Sequence, residues 1–158
     1  MNLTPLGAQA AMLGESEKKE LANLLISGSK NISDYTNGVC YDTVAYVRYL
    51  LNPNITPDEI IHTNGQDWNR KFDFLGGQKW NGESHIYSGT AVGFYRLVDN
   101  KVFHAAIGIN GSEVRAVNGG PLGAGWQRVN LKTALGTPND DGSFNYDGTK
   151  IFVYLSRL

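Results

Sequence analysis

Two short runs carry the residue types that could do chemistry. Cys40 lies in NGVCYDTVAYVRYLL, and His104 lies well downstream in the apolar run VFHAAIGI. A chain with one cysteine forms no internal disulfide and lacks the paired thiols of a structural zinc site. A thiol in the first turn of a helix has a use, because the free N–H groups and the helix dipole favour thiolate. A histidine on a separate strand would supply the base. The bland alternative is that Cys40 is a small buried hydrophobe on a helix face. Gly38 and Asn37, which let backbone approach closely, and a histidine-bearing strand in the right order weigh against it.

His62 and His85 sit in polar loop sequence and read as surface residues, which leaves His104 as the partner. It interrupts an apolar strand, with small residues Ala105, Ala106 and Gly108 beside it. A third group would orient the imidazole, and Asn118 is the candidate. With a three-residue loop at Asn110-Gly111-Ser112, His104 faces Asn118 across the hairpin. With a two-residue loop, Asn118 goes to the other side. Asn118 also precedes Gly119-Gly120-Pro121 and reads equally as a turn residue.

The elements that must position these residues follow from periodicity. Glu15 to Ile26 reads as a helix, with acidic residues early, an apolar stripe at Leu21, Leu24 and Leu25, and Gly28 as a stop. Residues 1–14 read as loosely ordered. The cysteine helix is expected from about Gly38 to Leu51, capped by Thr36 or Asn37 and ended by Asn52-Pro53. Thr56-Pro57-Asp58-Glu59 starts a short helix. Residues 63–88 read as a long connection with one short helix near Trp68–Phe72. Trp68, Trp80 and Trp126, in Gly-rich loop sequence, are expected to line a substrate cleft, Trp126 above all, although the aromatics of residues 63–88 could instead cover the edge of the core. From Thr90 the pattern becomes strand-like: residues 90–96, 103–109, 113–118 and 150–156, with WQRVNL between them. Helices first and an antiparallel sheet after is an α+β plan, and 158 residues suit one domain, 1–158.

In pattern and order these pieces resemble the NlpC-type branch of the papain-like cysteine peptidases. The matching runs are NGVCYDTVAYV, YSGTAVGFYR and FHAAIGINGSEVRAVNG, about half of the chain. The family's Asp-Cys-Ser-Gly run reads Val39-Cys40-Tyr41-Asp42 here, and Thr90 stands where its strand-entry segment has Asp. The resemblance implies a papain-like α+β fold with the Cys40 helix packed on the sheet. It also implies a hydrolase that cleaves amide bonds in a peptide or protein, with no cofactor. Cys40 thiolate would attack the carbonyl and His104 would protonate the leaving group. The helix terminus and the imidazolium would together hold the Cys40 pKa well below that of a free thiol. An acyltransferase or glutamine deamidase would use the same scaffold, and a non-enzymatic binding module could retain it. Enzymes of this kind occur as cell-wall amidases and as delivered toxins or effectors, the latter with an immunity protein as partner.

The net charge of −1 argues against general binding to nucleic acid or an anionic membrane. No segment has the length of a transmembrane span, and the N-terminus lacks the pattern of a secretory signal. The expected location is cytoplasmic by default, or outside the cell by a specialised export route. Asp140-Asp141-Gly142 reads as a turn rather than a calcium loop, and no metal site is expected.

Overall fold

A computed structural model describes residues 1–156. The helices are α1 Pro5–Ala10, α2 Glu15–Ser27, α3 Cys40–Leu51, α4 Pro57–His62, α5 Gly65–Lys71 and α6 Leu131–Leu135. The strands are β1 Gln78–Lys79, β2 Ala91–Arg96, β3 Lys101–Asn110, β4 Glu113–Arg115, β5 Arg128–Asn130, β6 Phe144–Tyr146 and β7 Thr149–Leu155. Among the described residues the protein is therefore α+β, with six helices and one antiparallel sheet of seven strands. The sheet runs β1-β7-β2-β3-β4-β5, and β6 also pairs with β7.

Alternation along the strands divides the core in two. Ala91, Ala105 and Ile107 face α2, α3 and α5, and pack with Leu25, Val44, Val47, Trp68 and Phe72. Val92, Phe94, Ala106, Ile151 and Val153 face the other way, and pack with Trp80, Leu122, Leu131 and Phe144. The sheet thus carries helices on one face and the later loops with α6 on the other. This two-sided burial explains why β2 and β3 read as apolar runs rather than as alternating patterns.

Three local features differ from the sequence reading. Residues 1–14 are ordered rather than loose: Thr4 caps α1 by accepting the Gly7 N–H, and Ala10 and Ala11 are buried. Gly7 is required there, since a Cβ would lie 1.8 Å from the Tyr35 carbonyl oxygen. Helix α3 starts at Cys40, two residues later than expected. Neither Thr36 nor Asn37 caps it. The Asp42 carboxylate accepts the Val39 N–H at 2.9 Å, so the cap comes from inside the first turn. Strand β4 ends at Arg115 rather than continuing to Asn118.

Candidate functional site

The first turn of α3 meets β3 beyond the end of β4. Pairing between β3 and β4 starts at Asn110–Glu113 and stops at Ile107–Arg115, which leaves the nearer half of β3 without a strand on that side. Residues from α3 take up the vacant backbone groups. The Tyr41 hydroxyl donates to the Val102 carbonyl at 2.7 Å. The backbone N–H groups of Ala105, Tyr41 and Cys40 itself lie near enough to the Cys40 sulfur to favour its thiolate. Thr43 donates to the Cys40 carbonyl at 2.8 Å and steadies the turn. Cys40 is 6 % exposed.

A bulge decides where His104 goes. Phe94 pairs with His104, but the next residue, Tyr95, pairs with Val102, so Phe103 is extra. Val102 and Ala105 keep the α3 side, while Phe103 and His104 turn to the opposite core. The imidazole stacks on Phe94, with centroids 5.3 Å apart and planes at 30°. Its Nε2 lies 3.1 Å from the Leu122 carbonyl oxygen. A carbonyl only accepts, so Nε2 carries the proton and Nδ1 presents its lone pair. That Nδ1 is buried and has no hydrogen-bond partner. Gly119 closes over the ring: a Cβ there would lie 2.2 Å from Cε1 and 2.3 Å from Nε2.

Cys40 and His104 are thus brought to adjacent residues of β3, the sulfur at the Ala105 amide and the ring on the residue before it. Among the described residues no hydrogen bond joins them. Electrostatics also differ from expectation. Burial, the largest effect, raises the Cys40 pKa, and the Asp42 carboxylate adds to the rise, against the lowering by the three amides. Burial pulls His104 down to about 4, with the Leu122 carbonyl opposing. Burial thus favours the neutral thiol and the neutral imidazole over a thiolate–imidazolium pair. The thiol of depressed pKa anticipated from the helix start is overturned by desolvation, which outweighs three N–H groups.

Asn118 does not orient the ring. It is exposed, at φ 60°, in the turn that follows β4. The Ile107–Arg115 and Gly108–Val114 pairs do follow the register that would set Asn118 opposite His104. The ladder stops first, because the Ala116 carbonyl accepts from the Trp126 N–H instead. The Leu122 carbonyl and Gly119 take the place assigned to Asn118. The only signal for them was the run Asn118-Gly119-Gly120-Pro121, which reads as a turn.

The tryptophans do not share a cleft. Trp68, Trp80 and Trp126 are 1 %, 1 % and 3 % exposed. Trp68 and Trp126 belong to the core on the helix side, and Trp80 to the other. Trp80 donates to the Ser84 carbonyl and stacks on Phe144, and Trp126 donates to the Leu25 carbonyl. Their large apolar rings serve packing rather than the substrate cleft expected of them.

The chain matches no family model, and it has no significant match among curated proteins. No group of three or more His, Cys, Asp or Glu residues suited to hold a metal ion occurs among the described residues. No helix among them is long and apolar enough to cross a membrane.

Proposed function

We propose that the chain is a papain-like cysteine hydrolase acting on an amide bond, with Cys40 as nucleophile and His104 as base. The observation that carries this reading is the unpartnered Nδ1 of His104. A buried lone pair without a donor costs about 1–3 kcal/mol. Here it stands on the residue beside the amide that touches the Cys40 sulfur, and its tautomer is set by Leu122. Nδ1 is therefore in the protonation state that a general base needs, and the attack requires ring and thiol to come within hydrogen-bonding reach.

In the reaction, the Cys40 proton passes to Nδ1 as the sulfur bonds to the substrate carbonyl carbon. The C–N bond then breaks, and Nδ1–H gives its proton to the departing amine. Water attacks the thioester, its proton returns through Nδ1, and the thiol is regenerated. The Cys40 N–H at the helix start would turn from the sulfur to the oxyanion as the tetrahedral intermediate forms. A neutral resting pair makes proton transfer part of the attack step, rather than a prior equilibrium.

The test is alkylation by iodoacetamide, followed by peptide mass spectrometry. Folded protein is expected to be modified at Cys40, with a rate that climbs through the alkaline range because burial raises the thiol pKa. His104→Ala removes the proton acceptor and is expected to slow labelling at pH 7 by about tenfold or more, the lower end of general-base contributions being larger still. If Cys40 reacts only after denaturation, in wild type and variant alike, it is core packing and the hydrolase reading fails.

A further inference from the structure

The bulge in β3 separates thiol and imidazole, and it also offers a way to bring them together. The Cys40 sulfur lies near the Ala105 N–H, which belongs to the peptide unit that joins Ala105 to His104. The backbone of His104 is therefore already beside the thiol, and only its side chain is directed away. The ring lies in the opposite core, stacked on Phe94 and covered by Gly119 and Leu122. Around it the ladder pairs Gly93 with Ala105, Phe94 with His104 and Tyr95 with Val102, and Phe103 is the extra residue. Phe103 and His104 thus stand together opposite Phe94 and share its face.

A second register keeps every pair but one. If Phe94 pairs with Phe103, His104 becomes the extra residue, and the Gly93–Ala105 and Tyr95–Val102 pairs stay as they are. His104 then stands with Ala105 opposite Gly93, on the face that looks to α3. Gly93 brings no side chain of its own, and the Phe74 ring covers it, which leaves the Cys40 side as the direction the imidazole takes. Phe103 already touches Phe94, with ring centroids 6.4 Å apart, and needs little movement to face it. Among the described residues no strand pairs with this half of β3 on its other edge, so the change breaks no ladder there. The imidazole gives up the Leu122 carbonyl and the Phe94 ring. In return the orphaned Nδ1 gains the thiol as donor.

We propose that β3 exchanges between these two registers, and that the minor one, with His104 on the α3 side, is the form in which the imidazole meets the Cys40 thiol. The inference rests on the hydrolase reading only in giving that meeting a catalytic use. Two pairings that share all but one partner make a bistable element, and whatever favours one of them sets its population. The observed register keeps nucleophile and base on opposite faces of the sheet. The turn at Gly119 to Gly123 holds it there through the Leu122 carbonyl and the close cover of Gly119. Displacement of that turn from the ring, by substrate or by a partner, would release His104 and switch the site on.

The experiment is a cross-link. Cys40 is the one cysteine of the chain, so a thiol placed on β3 has a single partner. The full chain carrying His104→Cys, and a control carrying Phe103→Cys, are oxidised with diamide and followed by mass spectrometry of unreduced peptides. Residue 104 changes face between the two registers and residue 103 does not. Disulfide is expected to form about tenfold faster in His104→Cys than in Phe103→Cys, since only the former gains a register that reaches the sulfur. Phe103→Cys removes a large ring, so linkage through unfolding would favour the control. Equal rates, a faster control, or no link in either variant overturn the inference. Should either variant fail to fold, the wild-type chain decides. Its amides at residues 103–105 are expected to show millisecond exchange in nitrogen-15 relaxation dispersion, and flat profiles there overturn the inference. Cross-linking needs no imidazole, so it reads the register even if alkylation shows no role for His104. Failure to link, beside alkylation that depends on His104, removes this route and leaves the hydrolase reading standing.

Discussion

At the residue scale, His104 is the most consequential side chain, because its burial sets both the chemistry and a pH dependence of stability. Its pKa falls from an ordinary 6.5 to about 4 on folding. A basic group depressed in the folded state binds its proton more tightly when unfolded. Stability is then full above about pH 6.5 and is lost as pH falls towards 4. The loss over that window comes to roughly 3 kcal/mol, each pH unit between the two values costing about 1.4 kcal/mol. Urea unfolding at pH 7, 5.5 and 4.5 should show this slope in wild type and a much smaller one in His104→Gln. Equal slopes in the two proteins would mean that other groups control the acid limb.

At the element scale, β3 and the turn after β4 are built around one another. Gly119 lies against the imidazole, and the Gly119 N–H donates to the Gly123 carbonyl at 2.8 Å. Gly119→Ala would push a methyl group into the ring. The expected result is a loss of about 1–3 kcal/mol, as for other overpacked sites, together with displacement of Nε2 from Leu122. Denaturant midpoints measure the first, and the nitrogen shifts of His104 measure the second. An unchanged imidazole spectrum in a fully folded variant would remove Gly119 from the site. Much of this scale was legible in the sequence. Helix α2 is within one residue of its reading, and α4 begins where Thr56-Pro57 said it would, with a Thr56–Glu59 capping box. The bulge at Phe103 was not legible, because an extra residue leaves no mark in an apolar run that is buried on both faces. Strands β1 and β6 were missed for a related reason. They have two and three residues and take their order from β7 rather than from their own pattern.

At the scale of the whole molecule, contacts between distant parts of the chain close the helical layer onto the sheet. Trp126 donates from its indole to the Leu25 carbonyl at 2.8 Å, across 101 residues. Arg115 donates to the Ile26 and Ser27 carbonyls at 2.7 and 2.8 Å, and to the Trp126 carbonyl at 3.0 Å. Together they satisfy the last turn of α2, which Gly28 ends in the left-handed region at φ 83°. Trp126→Phe keeps an aromatic ring but leaves the Leu25 carbonyl without its donor. It is expected to cost about 1–3 kcal/mol in chemical denaturation with a single transition. A midpoint unchanged within error would show that α2 is held by its apolar face alone. The sequence pointed to Trp126 but for another purpose, since a tryptophan among glycines looks the same whether it waits for a ligand or locks a helix end.

The join between α3 and the open side of β3 has a further consequence. Ala105 offers its N–H to sulfur where a continuing strand would have offered oxygen. Any change of bonding at that sulfur is therefore a change at the margin of the sheet. When Cys40 carries an acyl or alkyl group it is a poorer acceptor, and the Ala105 amide is left to solvent or to the incoming group. The backbone would then register the covalent state of the side chain. The Ala105 amide proton, expected to exchange slowly with deuterium in the free protein, would become a clock for turnover, readable without a chromogenic substrate.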